Sequence, residues 1–144
     1  MHTNFSLLQR SKIVCAIHSG WIGTVRQIVD HTIRYLIEKE NCNPKEMYCL
    51  IGPCLSKKHL EVQDDVINQV KKMNFDTSPF YQKTDETHYL LDNKGLNKQQ
   101  LLNLGVLEEN IQVSSYCTNE NNDLFFSHRV NHDGQRNVTI IKRK

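Results

Sequence analysis

No stretch of this sequence holds enough consecutive apolar residues to cross a bilayer, and its opening MHTNFSLLQRSK has no run of signal-peptide length. The expectation is a cytoplasmic protein that engages no membrane. Charge of one sign is scarce too. Lys and Arg total 18 against 16 Asp and Glu, a formal net charge of +2, which is too weak a field to argue for nucleic acid. Most of the excess sits in Lys142-Arg143-Lys144, which reads as a solvated tail. The five cysteines are odd in number and form no CxxC pair. That excludes a tidy disulfide framework and favours reduced, buried thiols. Repeats, low-complexity tracts and domain boundaries are absent, so the 144 residues read as one domain, long enough to bury a core.

What the sequence does contain is organised around Lys12 to Thr24, KIVCAIHSGWIGT. Residues 12–17 read as a strand buried on both faces, with Val14, Ala16 and His18 on one side and Ile13, Cys15 and Ile17 on the other. Two glycines then mark a tight turn or a close approach of backbone. From Trp21 to about Glu40 the apolar residues fall at helical spacing, which predicts one long amphipathic helix. His18 is thereby placed where a strand meets a helix N-terminus, a usual position for ligands in α/β proteins.

Further along, Asn43 and Pro44 read as the cap and first residue of a short helical turn. Met47–Ile51 reads as a strand ending in Gly52-Pro53-Cys54, and Leu60–Val62 as a brief strand. A helix is expected from Asp64 to about Met73, and a polar loop over the core from Asn74 to Thr87. His88–Leu91 reads as a strand, followed by a helix capped by Asp92 or Asn93 and closed by Gly105. Ile111–Tyr116 is the next expected strand, and Asn119–Asp123 a turn. Leu124–Ser127 and Val138–Ile141 are expected to pair as a hairpin through Asn131–Gly134. The alternation predicts an α/β fold with mixed sheets.

Three groups of residues carry possible chemistry. His18 is either a strand-end histidine hydrogen-bonded to a carbonyl, or a metal ligand or general base. Cys54 is either a small buried thiol in a turn or a nucleophile needing a cationic neighbour. Arg129 and Arg136 are either surface arginines with ion-pair partners or a site for phosphate or carboxylate.

Four segments together resemble one family. Ala16-Ile17-His18-Ser19-Gly20-Trp21-Ile22-Gly23-Thr24 is similar to the HAGWRG-type motif of the multicopper polyphenol oxidoreductase, or laccase-domain (YfiH-type), proteins. Ile51-Gly52-Pro53-Cys54 with Glu61-Val62 resembles that family's IGPC…EV segment. Leu91-Asp92 with Asn97, Gln100-Leu101-Leu102 and Gly105-Val106 resembles its LD…N..QLL..GV helix. Cys117-Thr118 with Phe125-Phe126-Ser127, Arg129 and Gly134-Gln135-Arg136 resembles its CT…FFSYR…GR ending. The order and spacing agree across residues 12–141.

The resemblance implies an α/β sandwich of mixed sheets, related to the Cys-His toxin deamidases. It implies a zinc enzyme that phosphorolyses adenosine, inosine, guanosine and methylthioadenosine and deaminates adenosine; copper belongs to the family's older label. Of the family's two zinc-binding histidines and one cysteine, only the HAGW histidine carries over, onto His18. The cysteine of a DC.P motif and the earlier histidine have no counterpart here, so the chain resembles a C-terminal part whose site a second chain would complete. Ile22 stands where the family has a basic residue and His128 where it has Tyr. The alternatives are a thiol hydrolase or deamidase using Cys15, Cys54 or Cys117, and a non-catalytic domain that binds a partner chain.

Overall fold

Alternating burial along Met47–Ile51 orients the main sheet. Met47, Cys49 and Ile51 are buried while Tyr48 and Leu50 face outward, the period-two signature of a strand with one covered face. A computed structural model describes residues 4–9, 13–132 and 134–143; His2, Lys12, Asp133 and Lys144 lie outside them. Its strands are β1 (Asn4–Gln9), β2 (Val14–His18), β3 (Met47–Ile51), β4 (Glu61–Gln63), β5 (Tyr81–Lys83), β6 (His88–Leu91) and β7 (Ile111–Val113). Its helices are α1 (Trp21–Val25), α2 (Ile28–Lys39), α3 (Asp64–Val70), α4 (Asn93–Asn103) and α5 (His128–Asn131). One sheet runs β2-β1-β3-β7, with β1 antiparallel to both neighbours and β3 parallel to β7. The other runs β4-β6-β5 and is antiparallel throughout. The fold is a mixed α/β domain, as expected.

Two cores lie side by side. Val29, Ile33 and Leu36 of α2 pack on Met47, Cys49 and Ile51 of β3. The second core gathers Leu60, Ile67, Val70 and Leu91. Each such side chain, taken fully out of water, contributes roughly 1.5–3 kcal/mol. Helix α4 joins the cores, because Leu101 belongs to the first and Leu96 to the second. Its ends are built as the sequence predicts. An Asp92 carboxylate oxygen accepts from Gly95 N at 2.9 Å, and Gly105 follows the last turn at φ +89°. Asn43 likewise caps the turn Pro44–Glu46, accepting from Lys45 N at 3.1 Å.

Several expectations are corrected. Strand β2 is an edge strand, not one buried on both faces. Only Ile17 is fully inside, and Ala16 and His18 are exposed. An apolar run reads alike whether one face is covered or two. The long helix from Trp21 is two helices, separated at Gln27, which sits at φ 56°. The cause is the pair of cores: Trp21 and Val25 pack on the second, whereas Val29 and Ile33 pack on the first. Residues 4–9, patternless in sequence, form the strand between β2 and β3. The expected loop Asn74–Thr87 contains the helical turn Ser78–Phe80 and strand β5.

The C-terminal hairpin is not formed. Leu124 is in a turn, Phe125 in a bend and residues 126–127 in irregular backbone, α5 occupies 128–131, and Val138 and Ile140 are 81% and 84% exposed. The two segments are joined through one side chain instead of a ladder. Phe126 N donates to Asn137 Oδ1 at 2.9 Å, and Asn137 Nδ2 donates to Phe126 O at 2.7 Å.

Candidate functional site

Strand β2 ends at His18, and the chain then turns into α1 at the rim of a cleft of about 540 Å³. His18 and the Gly20–Gly23 stretch line it, as do Leu55 and Thr118. Phe126 to Arg129 and Gln135 to Asn137 complete the lining. The cleft therefore unites residues from two of the four sequence segments singled out above, and Leu55 adjoins a third. His18, Arg129 and Arg136 all reach it. Trp21, Phe126 and His128, not among the site residues expected from sequence, line it as well; their aromatic character beside motif residues was the available signal.

The segment on α4 contributes nothing to the lining but holds the stretch that follows His18. Ser19, Thr24 and Asn97 are all completely buried. Ser19 Oγ donates to Asn97 Oδ1 at 2.8 Å and Asn97 Nδ2 donates to Thr24 Oγ1 at 2.9 Å, with the two hydroxyl oxygens 2.9 Å apart. Because the single Ser19 proton is committed to Asn97, Thr24 must be the donor to Ser19. The three side chains thus close a ring in which every proton has an acceptor. Asn93 Nδ2 adds a bond to Ser19 O at 3.2 Å. Gln100 bridges the break between α1 and α2, donating to Thr24 O at 3.3 Å and accepting from Asp30 N at 3.1 Å. Gly23 completes the fit, since a Cβ there would stand 3.3 Å from Ile28 Cγ2 and 3.5 Å from the His18 carbonyl oxygen.

The two arginines keep their charge available. Arg129 donates to Glu61 O at 2.9 Å, and Arg136 to the carbonyl oxygens of Gly134 and Gln135 at 2.6 and 2.9 Å. Among the described residues neither forms an ion pair with a carboxylate. A guanidinium held by neutral carbonyls is oriented without being neutralised, as an anion site requires.

No cysteine lines the cleft, which removes the geometric basis for a thiol nucleophile there. All five are reduced thiols, with no disulfide among the described residues. Burial raises the Cys15 thiol and pushes Cys49 up to about 12. Cys117 goes the other way. Its burial raises the thiol, but hydrogen bonds from Ser56 and from the amides of Glu120 and Asn119 outweigh that and hold it below its ordinary value. Cys54 is 2% exposed and its Sγ donates to Leu55 O at 3.4 Å. His59 lies apart from Cys54's chemistry and instead meets Glu120, its Nε2 lying 3.0 Å from the carboxylate.

A zinc ion at His18 needs three protein donors, with the fourth position open. Within the cleft only His18 and His128 have metal-binding side chains. Among the described residues, the group of three that does come together is His59, Cys117 and Glu120, which lies outside the cleft lining. The described residues therefore do not fit a zinc site at His18.

Comparison with known proteins follows the same outline. A family model described as "Multi-copper polyphenol oxidoreductase laccase" matches residues 6–144. A protein named purine nucleoside phosphorylase YlmD from Bacillus subtilis is 37% identical over 117 residues, 81% of this chain and 42% of the relative. A Staphylococcus epidermidis protein named purine nucleoside phosphorylase is 34% identical over 129 residues, 88% of this chain and 47% of the relative. Two crystal structures share the fold: a Bacillus licheniformis hypothetical protein YfiH (TM-score 0.86, 29% identity, 89% of this chain and 49% of that one) and YlmD of Geobacillus stearothermophilus (0.84, 32%, 89% and 48%). The chain spans just under half the length of each.

Proposed function

Since the chain belongs to the multi-copper polyphenol oxidoreductase laccase family, we propose that it supplies half of a purine nucleoside phosphorylase site, acting on adenosine, inosine, guanosine and methylthioadenosine. The carrying observation is the pairing of two unneutralised guanidinium groups with an apolar wall in the cleft that His18 borders. Phosphorolysis needs those features together. A phosphate oxygen attacks ribose C1′, the glycosidic bond breaks, and its electron pair leaves with the purine, which takes up a proton. Arg129 and Arg136 orient the phosphate. Trp21, Leu55 and Phe126 present apolar surface to the flat base. Adenosine deamination is the secondary activity of this reading.

In the proposed whole, His18 is this chain's contribution to a zinc site whose other ligands come from a second polypeptide. When bound, zinc supplies a Lewis acid and an activated water. The outer sheet face supports such a partner. By register His18 shares that face with Ala16, Tyr48 and Leu50, and Tyr48 and Leu50 are 48% and 39% exposed. A polypeptide covering this apolar face would end beside His18. The protein is expected to work in the cytoplasm, on nucleosides and phosphate rather than on nucleic acid.

The test is phosphate-dependent release of purine from adenosine and inosine, by the chain alone and with a polypeptide carrying the missing His and DC.P segments. Little turnover alone, restored turnover with the complement, and its loss in His18→Ala are expected. Stoichiometric zinc binding at His18 and full turnover by the isolated chain would refute the shared site. Turnover by the pair without phosphate dependence would refute the phosphorylase.

A further inference from the structure

Outside the cleft lining, His59, Cys117 and Glu120 bring an imidazole, a thiol and a carboxylate together, with their ligand atoms all within 4.8 Å of one another. We propose that these three side chains bind a zinc-type divalent cation that fastens the segment after β3 to the turn at residues 117–121. This site is separate from His18 and does not depend on the nucleoside reading.

The donor chemistry selects the class of ion. Thiolate with imidazole and carboxylate suits zinc and similar borderline-soft metals, whereas calcium and magnesium take oxygen donors. The geometry needs little adjustment. Metal–ligand lengths near 2.0–2.1 Å for N and O and 2.3 Å for S put tetrahedral donors about 3.4–3.7 Å apart. His59 Nε2 and Glu120 Oε1, now 3.0 Å apart, have to separate by a few tenths of an ångström. Cys117 Sγ has to close by about 1 Å at most. That adjustment falls on the solvent-facing partners, because the His59 and Glu120 side chains are 33% and 48% exposed while Cys117 is 1% exposed.

The backbone beneath is already set. His59 N donates to Ser56 O at 3.0 Å, and Leu60, which follows it, is fully buried. Cys117 N donates to Asn121 Oδ1 at 3.2 Å, and Ser56 N donates to Cys117 Sγ at 3.3 Å. An N–H directed at the sulfur remains useful once a metal is bound, since such outer hydrogen bonds fix a ligating thiolate. The other use of this trio, nucleophile with base and orienting acid, fails on access. Cys117 is 1% exposed and does not line the cleft, which leaves an acyl substrate no room to reach its sulfur. The consequence for the cleft is direct. Thr118 and Leu55 adjoin the fastened segments and line its wall, and Thr118 N already donates to Cys54 O at 3.2 Å.

Cobalt(II) alone, added to the reduced full chain, is the probe. One equivalent should produce a near-ultraviolet thiolate-to-cobalt absorption that zinc displaces and that is unchanged in His18→Ala. Cys117→Ser should abolish the band. His59→Gln and Glu120→Gln, at a half-buried and an exposed side chain, should each weaken cobalt binding about tenfold or more with unchanged far-ultraviolet circular dichroism. If Cys117→Ser does not fold, those two variants decide the question. No thiolate band in the unaltered chain, a band that survives in folded Cys117→Ser, or binding indifferent to both surface variants overturns the proposal.

Discussion

Asn97→Ala tests whether the Ser19–Thr24 stretch is held by a closed ring of hydrogen bonds. The substitution removes one acceptor and two donated bonds: from Ser19 Oγ at 2.8 Å, to Thr24 Oγ1 at 2.9 Å and to Asn93 O at 2.7 Å. Ser19 and Thr24 can still bond each other, but two hydroxyls without a third partner leave one buried proton with no acceptor. That orphan costs about 1–3 kcal/mol, and the lost bonds add about 0.5–1.5 kcal/mol each at most. Alanine's better helix propensity returns about 0.6 kcal/mol. The net expectation is a loss of about 2–4 kcal/mol from a domain whose whole stability is about 5–15 kcal/mol. Urea unfolding followed by the fluorescence of Trp21, the only tryptophan, measures it beside the site. Ser19→Ala and the double variant complete a cycle. Because the second substitution finds the ring already open, the two losses should fall short of additive by about 1–2 kcal/mol. A single-variant loss under about 1 kcal/mol, or strict additivity, would refute the closed ring.

Three further outcomes are expected. In the complemented enzyme, Arg129→Ala and Arg136→Ala should each raise the KM for phosphate about tenfold or more while leaving that for nucleoside nearly unchanged; equal effects on both substrates would contradict an anion subsite. Gly95→Ala should destabilise despite alanine's propensity, by about 1–3 kcal/mol in urea unfolding. Its Cβ would meet the Asp92 carboxylate and stand 2.7 Å from Phe80 Cδ1, so a neutral or stabilised variant would show that these neighbours yield. The pair His88–Asp85, 2.9 Å apart, sets a pH window. The hydrogen bond to Asp85 raises the His88 pKa, so that contribution is complete below the ordinary histidine value near 6.5 and fades as pH climbs through the raised one. Bonds from the Thr87 amide and His88 lower the Asp85 pKa, so its contribution holds above the ordinary carboxylate value near 3.9 and fades as pH falls through the lowered one. His88→Gln should therefore differ most from the parent in unfolding midpoint between about pH 4 and 6.5. A gap that widens above that range would reverse the sign.

Local signals were legible where the chain's own chemistry decides the conformation. The Asn43 cap, the strand Met47–Ile51, the Asp92 cap and the Gly105 terminator need no distant partner to be read. What stayed hidden was decided across the fold. NFSLLQ at residues 4–9 gains its strand character from pairing with β2 on one side and β3 on the other. Gln27 breaks a helix whose apolar spacing runs straight on, because the two halves serve different cores. The alternation at residues 138–141 reads as a strand, but a strand needs an edge to pair with. Of the site, His18, Arg129 and Arg136 were legible from their motifs. His59, Cys117 and Glu120 were not, since 58 and 61 residues of chain separate His59 from the other two.

The four sequence segments divide by physical role. Two supply residues that a ligand in the cleft can touch, and Leu55, next to a third, joins them. The segment on α4 supplies none to the lining, yet its Asn93, Asn97 and Gln100 carry the backbone and hydroxyls of residues 19–24 from below. The junction Ser19-Gly20, between an edge strand and a broken helix, has few side chains of its own to define it. Buried amides on a neighbouring helix define it through directed hydrogen bonds, which fix orientation where apolar contact fixes only distance. His18 closes the strand that enters this junction, so its position depends on those amides as well as on β2. The same division makes a clear experimental distinction. Substitutions at Arg129 or Arg136 should change ligand affinity in a domain of undiminished stability, whereas substitutions at Asn97 should lower stability first and affect the cleft through the junction.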